Sequence, residues 1–99
     1  MYRPLPECLK IRDSSIEGQG LIAVEGISKN TILGRSHVNF QNELVREPLG
    51  GFINHSENPN CFIENKEPEH YLITVCDVKV GEELTVDYTK HVCGKYFKT

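Results

Sequence analysis

Basic clusters are missing from this sequence of 99 residues, which holds no run of lysines and arginines longer than two. The formal net charge is -3 at pH 7. Proteins that bind nucleic acids usually present a basic face, so the composition argues against a nucleic-acid partner. A weakly acidic surface instead tolerates positively charged, lysine-rich protein partners.

Long apolar runs are missing as well. No segment approaches the roughly 20 apolar residues that a membrane-spanning helix needs, which argues against a membrane partner. The first six residues, from Met1 to Pro6, lack the apolar stretch of a secretory signal. We therefore expect a cytoplasmic protein.

The cysteines contain no C-x-x-C pair, the spacing typical of redox motifs and of many zinc sites. Without a secretory signal, they are expected to be reduced thiols rather than disulfides. Cys8 and Cys76 are expected to serve as small buried hydrophobic side chains.

Short strands are the natural structure for this chain, because eight glycines and five prolines divide it into short segments. No window carries a sustained helical period of apolar residues. Residues 71–76 are rich in β-branched and aromatic side chains, which predicts a central buried strand. Between residues 38 and 50 we expect a loop or at most one helical turn. Shorter strands are predicted at 8–12, 21–24, 31–33 (extending as far as 38), 61–63 and 84–86.

Two polar segments carry the candidate chemistry. Residues 51–61 read GFINHSENPNC, and residues 80–88 read VGEELTVDY. Taken alone, the first is typical of local hydrogen bonding in a turn, and the second of a solvated turn followed by an edge strand. Glu82 and Glu83 are expected to be solvated turn residues, because charged side chains are seldom fully buried.

Together, and in this order, the two segments resemble the C-terminal half of SET-domain lysine methyltransferases. The family pattern there runs approximately R-F-I-N-H-S-x-x-P-N-C and then I-x-x-G-E-E-L-T-x-D-Y. Residues 18–23, GQGLIA, are similar to the family's G-x-G-L-F-A stretch. The resemblance covers most of the chain.

The resemblance implies a mostly β SET-domain fold of several small sheets with a C-terminal pseudoknot, of the short, stand-alone bacterial or viral type. The single domain spans residues 1–99. It comprises a short N-terminal extension at 1–7, a shortened insert at 39–49 and a C-terminal tail at 89–99.

The resemblance also implies that S-adenosyl-L-methionine is the cofactor. In the family, the backbone of the G-x-G loop lies against it, which suggests Gly18, Gln19 and Gly20. Glycine permits such close approach, although a simple hairpin turn is the alternative reading. Asn54 is expected to bind the amino-acid part of the cofactor through its carboxamide, and His55 to contact the adenine mainly through its backbone.

Tyr88 stands at the position of the family's catalytic tyrosine. The implied reaction methylates the ε-amine of an accessible lysine in a protein substrate, inside a narrow channel. A free lysine has a pKa near 10.4 and is mostly protonated at neutral pH. A dry channel lowers that pKa by desolvation, and a fixed phenol oxygen can then orient the neutral amine.

The shortened insert is the main departure from the family pattern, because larger members use this region to build one wall of the lysine channel. Phe40 is its sole candidate aromatic residue. The missing wall leaves two alternatives to a self-sufficient enzyme. One is a SET-fold binding module without turnover, and the other is a homodimer whose subunits complete each other's channel. Val86 stands where the family often has Phe or Tyr, so the number of methyl groups added stays open.

The C-terminal tail carries two further expectations. Tyr96 and Phe97 fold back over the cofactor and close the channel, as aromatic residues after the core do in relatives; a frayed terminus is the alternative. His91 and Cys93 could join Cys61 at a zinc ion, but three ligands fall short of the four of a structural site. We therefore predict no metal.

Overall fold

The computed structural model describes residues 5–90 of the chain. Within this range eight strands form two four-stranded sheets, so the predicted mostly β fold of small sheets is confirmed. The strands are β1 (Leu9–Asp13), β2 (Gln19–Ala23), β3 (Ile32–Phe40), β4 (Glu43–Arg46), β5 (Asn54–His55), β6 (Cys61–Lys66), β7 (Glu69–Thr74) and β8 (Glu83–Val86). A short helix, α1 (Pro48–Phe52), and a 3-10 helix (Tyr88–Lys90) complete these elements.

The first sheet has the order β1-β2-β8-β5 and brings together all three sequence motifs. β1 and β2 form an antiparallel hairpin, and the G-x-G stretch runs from the end of its turn at Gly18 into the start of β2. β8 pairs antiparallel with β2 and parallel with β5. Because β8 lies between them, the start of β2 and the short strand β5 sit on either side of the second polar segment.

The second sheet has the order β4-β3-β7-β6. β7 lies between β3 and β6, which confirms the predicted central strand, although it spans Glu69–Thr74. Its inward side chains, among them Leu72, are fully buried. Such a strand needs the β-branched and aromatic content that marked this segment in the sequence.

The prediction of a loop or at most one helical turn between residues 38 and 50 is wrong for most of this segment, although the short helix α1 begins within it. β3 runs on to Phe40, turns through Gln41 and Asn42, and returns as β4. Gln41 and Asn42 have φ values of 51° and 66°, as a two-residue hairpin turn requires at both central positions. The usual signal for such a turn is Asn-Gly or Asp-Gly, and its absence here concealed the hairpin.

One continuous core joins the two sheets and α1. Burial of apolar surface is the dominant favourable term in folding, so this cluster holds the sheets together. Its buried members are Leu9, Leu21, Ala23, Ile27, Leu33, Leu49, Ile53, Cys61, Ile63, Leu72, Val78, Leu84 and Val86. In the described range, no helix has the length and apolar character needed to cross a membrane.

α1 packs closely on β3 through Gly50. A Cβ atom added at Gly50 would lie 2.3 Å from the Ser36 carbonyl oxygen and 2.6 Å from the His37 ring. Ser36, His37 and, across the β3–β7 register, His70 are all fully buried. The Ser36 hydroxyl donates to the His70 carbonyl oxygen at 3.1 Å. The helix therefore sits on a polar, hydrogen-bonded layer that leaves no room for a side chain.

The described cysteines are free thiols in contrasting environments. Cys61 is 1% exposed, and burial raises its pKa to about 12. Cys76 is exposed, so the expectation that it is buried is wrong, and Cys8 is only partly buried. Cys76 follows the end of β7, where the chain leaves the sheet.

Cys61 and Cys76 are expected to differ strongly in reactivity, because the thiolate is the reacting species. The raised pKa of Cys61 lowers its thiolate fraction by orders of magnitude at neutral pH. With iodoacetamide at pH 8, the exposed Cys76 should be alkylated readily, and the buried Cys61 on the order of 100-fold more slowly or slower still. Peptide mass spectrometry over time measures both rates. Equal rates in native buffer would contradict the burial of Cys61, whereas equal rates in urea are the expected control.

Candidate active site

Ser14 organises the loop that joins β1 to β2. Its backbone N–H donates to the Gly18 carbonyl oxygen at 2.8 Å. Its hydroxyl oxygen accepts hydrogen bonds from the backbone N–H groups of Ile16 at 2.8 Å and Glu17 at 3.2 Å. Gly18 has a φ of +48°, and an added Cβ there would meet no atom within 4 Å. The loop is therefore a tight turn with an open outer side, and glycine adopts its left-handed conformation at little cost.

Asn54 reaches this loop from β5. Its carboxamide nitrogen Nδ2 lies 3.2 Å from the Glu17 carbonyl oxygen and 3.3 Å from the Gln19 carbonyl oxygen. The same nitrogen lies 3.1 Å from the Ser14 hydroxyl and 2.8 Å from Glu83 Oε2. Backbone carbonyls and a carboxylate only accept hydrogen bonds, so the nitrogen must be the end of the amide that faces them.

Glu83 is not a solvated turn residue, and that prediction is wrong. It is the first residue of β8, and its side chain is partly buried. The Ser14 hydroxyl donates to it, with Oγ at 2.7 Å from Oε1 and 2.9 Å from Oε2. Glu82, by contrast, is exposed as predicted and accepts a hydrogen bond from the Lys79 backbone N–H at 2.6 Å. Glu82 precedes β8 and Glu83 begins it, so the two glutamates have different surroundings.

Gly20 is buried beneath this carboxylate. A Cβ atom added there would lie 2.2 Å from Glu83 Oε2 and 3.1 Å from Asn54 Nδ2. The second glycine of the G-x-G stretch thus has a function within the protein itself. It makes room for the two side chains that join β8 and β5 to the loop.

Asn60 fastens the first motif to the second. Its Nδ2 donates to the Glu83 carbonyl oxygen at 2.9 Å, and its Oδ1 accepts from the Thr85 backbone N–H at 2.9 Å. The parallel register of β5 and β8 places Asn54 opposite Thr85. Side-chain and backbone hydrogen bonds therefore hold β8 beside Asn54.

Tyr88 and His55 form a second group beside the first. The Tyr88 hydroxyl donates to the Ile53 carbonyl oxygen. The Tyr88 backbone N–H donates to His55 Nδ1 at 3.1 Å, and the two ring centroids are 5.5 Å apart. Burial raises the pKa of Tyr88, while the positive charge of Arg46 on β4 acts in the opposite direction. The phenol is therefore neutral at physiological pH.

The structure brings the predicted site residues together in two adjoining groups. The Asn54 carboxamide is hydrogen-bonded to the Gln19 carbonyl oxygen, and Gly20 packs against the same Asn54 side chain. Gly18 shapes the loop. His55 is the residue after Asn54 in β5, and the Tyr88 backbone N–H donates to its ring. These two residues form the second group. Tyr96 and Phe97 lie outside the described residues.

Three residues of the site were missed by sequence reasoning. Ser14 accepts from the N–H groups two and three residues later, a common turn for serine that the Asp-Ser-Ser segment could have suggested. Asn60 stands in the N-P-N-C part of the first motif. Glu83 could have been found from strand alternation, because it shares a face with the buried Thr85.

Metal ligands do not gather in the described part of the chain. Among residues 5–90, no group of three or more His, Cys, Asp or Glu side chains could hold a metal ion. His91 and Cys93, which sequence reasoning considered together with Cys61, lie outside this range.

Comparison with known families assigns the class of protein. The SET-domain family model matches residues 37–89, which are 53 of the 99 residues of the chain. The chain therefore belongs to the SET-domain family. A search of curated proteins finds no significant match.

Two solved structures share the fold. The first is a Plasmodium falciparum protein with the provisional name histone methyltransferase. It superposes with a TM-score of 0.71 at 20% sequence identity, over 89% of this chain and 98% of the other. The second is a humanized mutant of the Chaetomium thermophilum Polycomb Repressive Complex 2 bound to the inhibitor GSK126. It gives a TM-score of 0.66 at 20% identity over 81% of this chain, which spans only 14% of that longer chain.

Proposed function

We propose that this protein is an S-adenosylmethionine-dependent protein-lysine N-methyltransferase. The observation that carries the proposal is the convergence of three separate sequence motifs on one hydrogen-bonded cluster. Asn54 joins the G-x-G loop to β8 through its carboxamide, and Tyr88 lies beside the next residue, His55. Membership of the SET-domain family supports the same reading.

The residues of the first group fit the amino-acid end of the cofactor. The side of the loop at Gly18 is open to an approaching molecule. Asn54 makes its contacts through Nδ2, which leaves the amide oxygen as the acceptor that it can offer to a ligand. When bound, S-adenosylmethionine supplies an electrophilic methyl group on a sulfonium.

Tyr88 is the proposed catalytic residue. Its hydroxyl hydrogen is directed at the Ile53 carbonyl oxygen, which fixes the orientation of the phenol. Burial raises the pKa of Tyr88, so the phenol keeps this proton at neutral pH. A phenol oxygen accepts as well as donates hydrogen bonds, and it can therefore orient the N–H of a substrate amine. We propose that the substrate is a protein with an accessible lysine. We also propose that the enzyme itself is cytoplasmic.

Tyr88→Phe is expected to lower the rate of methyl transfer about 100-fold, the effect of losing one well-placed hydrogen-bonding group. Affinity for S-adenosylhomocysteine should stay within about twofold, because the cofactor residues are unchanged. The assay follows a labelled methyl group from the cofactor into the lysines of histones and of a lysate. Tyr71→Phe is the matched control, since Tyr71 binds Glu69 on the other sheet. A Tyr88→Phe enzyme as fast as the wild type would contradict the assignment.

A binding module without turnover is the second candidate function, and the insert gives the observation that favours it. The side chain of Phe40 is 61% exposed, so the sole aromatic residue of the insert does not form an enclosed channel wall. Wild-type protein that binds S-adenosylmethionine but methylates no lysine at any concentration would establish this function instead. Activity that appears only as protein concentration rises would indicate a dimer that completes the channel.

A further inference from the structure

The second sheet has an outer face, turned away from the core, that carries apolar side chains. Because side chains alternate along a strand, the core members Ile63 and Leu72 identify the inner face. Ile73, the next residue of β7, is buried but does not belong to the core cluster. It lies opposite Ile32 on β3 and Phe62 on β6, which are 63% and 40% exposed. These three side chains form an apolar row across the outer face, the Ile32 group.

A second apolar group lies at the other end of β3, beside the hairpin turn. Val38 pairs with Val45 on β4, and Phe40 follows Val38 on the same face two positions later. Phe40 is 61% exposed and Val45 is 43% exposed. We call these three residues the Phe40 group. The outer face therefore presents apolar side chains at both ends of β3, and exposed apolar patches of this kind mark interaction surfaces.

A band of paired charges lies between the two apolar groups. Arg35 Nη1 lies 2.8 Å from Glu69 Oε2, and Arg35 Nε donates to the Glu47 carboxylate. On β6, Lys66 Nζ lies 3.5 Å from Glu64 Oε1. The band thus contains both signs of charge, already paired within one chain. Covering it would bury ion pairs rather than isolated charges, and isolated buried charges are the more costly.

We propose that the outer face of the second sheet is the contact surface for a second copy of this chain. A two-fold contact needs a self-complementary surface, in which one residue meets a second residue of the other copy and the reverse also holds. The outer face meets this requirement when the two β3 strands run antiparallel across the interface. Ile32 of each copy then packs on Phe40 of the other, and the two charged bands meet near the symmetry axis.

The charges of the face favour this occupant over a strongly charged partner. A lysine-rich or acidic protein gains little from carboxylates and cations that are already paired, whereas a second copy brings a band with the same balance of signs. Stacked sheets also keep their strand directions within about 30° of each other, as the antiparallel arrangement of the β3 strands requires. The face belongs to the sheet that does not contain Asn54, so the inference goes beyond the proposed function and its test needs neither cofactor nor substrate.

Sedimentation equilibrium of the wild type should show a mass that rises from one chain toward two as the protein concentration increases. Ile32→Glu and Phe40→Lys should each weaken this association at least about 100-fold, because every dimer loses the burial of two apolar side chains. Both residues are mainly exposed in the single chain, so both variants should fold, which thermal unfolding checks. Phe62→Glu, in the Ile32 group, is a third variant with the same expected direction.

An equimolar mixture of Ile32→Glu and Phe40→Lys tests the arrangement of the two copies. In a mixed dimer, the introduced carboxylate faces the introduced ammonium at one end, and a native Ile32 meets a native Phe40 at the other. The mixture should therefore associate at least about tenfold more tightly than either variant alone. Val80→Glu is the control, since Val80 is 66% exposed in a turn outside both sheets, and it should associate as the wild type does.

Three results would overturn the proposal. A wild type with the mass of one chain at every concentration would leave the outer face to a different protein. Association that survives Ile32→Glu, Phe40→Lys and Phe62→Glu would place the contact on another surface. A mixture that associates no better than its separate components would rule out the antiparallel arrangement of the β3 strands.

Discussion

Gly50→Ala is expected to lower the free energy of unfolding by about 3 kcal/mol, the upper range for forcing extra atoms into a packed core. The new methyl group would lie 2.3 Å from the Ser36 carbonyl oxygen and 2.6 Å from the His37 ring. Both belong to a buried layer, and a backbone carbonyl in β3 cannot move aside without disturbing the sheet. The helix must therefore shift away from the layer on which it packs.

The adjacent glycine is a matched control in the same helix. An added Cβ at Gly51 would meet no atom within 4 Å, and Gly51 is exposed. Gly51→Ala should raise the free energy of unfolding by about 0.5 to 1 kcal/mol, because alanine favours the helix. Urea unfolding measures the free energy of unfolding of both variants, and the dependence of that free energy on urea concentration should be the same as in the wild type. Two alanine variants of equal stability would contradict the packing of α1 on β3.

Gly20→Ala is expected to weaken cofactor binding by at least about 100-fold. This is the effect of losing two or more hydrogen bonds between the protein and the charged amino-acid end of the cofactor. Its Cβ would lie 2.2 Å from Glu83 Oε2, so the carboxylate must leave the site. Asn54 then loses its closest hydrogen-bond partner, and its Nδ2, which would lie 3.1 Å from the new Cβ, must shift as well. The colliding atom is the end of a flexible side chain, so the free energy of unfolding should fall by only about 1 kcal/mol.

The contrast with Gly50 is informative, because one substitution disrupts a site and the other disrupts the packing of a helix. Gly26→Ala serves as the control, since its Cβ would lie 4.0 Å from the Val78 carbonyl oxygen, an ordinary contact. It should bind the cofactor as the wild type does. Titration calorimetry together with urea unfolding separates the two effects, and normal affinity in Gly20→Ala would contradict the account of the loop.

Local sequence signals predicted a strand well where β-branched and aromatic side chains occur in a segment that is buried in the structure. Residues 71–76 were marked as a central strand by their β-branched and aromatic content, and β7 occupies that place. The β3–β4 hairpin was missed, because Gln41 and Asn42 replace the glycine that usually marks such a turn. Tertiary pairing of β3 with β7 supports the hairpin, and a local pattern does not contain that information.

For the candidate site, sequence-based prediction is limited by contacts between residues that are far apart in the chain. The motifs singled out Asn54 and Tyr88, and the structure places Asn54 against the loop that joins β1 to β2 and Tyr88 beside His55. The role of Glu83 depends on contact with Ser14, which is 69 residues away in the sequence. Such a contact follows from the pairing of β8 with β2, and no local rule of composition or spacing reveals it.

Calorimetric titration of the wild type and Asn54→Ala with S-adenosylmethionine and S-adenosylhomocysteine tests whether Asn54 is part of a cofactor site. We expect saturable binding of both compounds by the wild type, and loss of that binding in Asn54→Ala. Asn58→Ala, which alters an exposed residue of the same motif, should bind normally. A folded wild type that binds neither compound, or an Asn54→Ala variant with unchanged affinity, would contradict a cofactor site at Asn54.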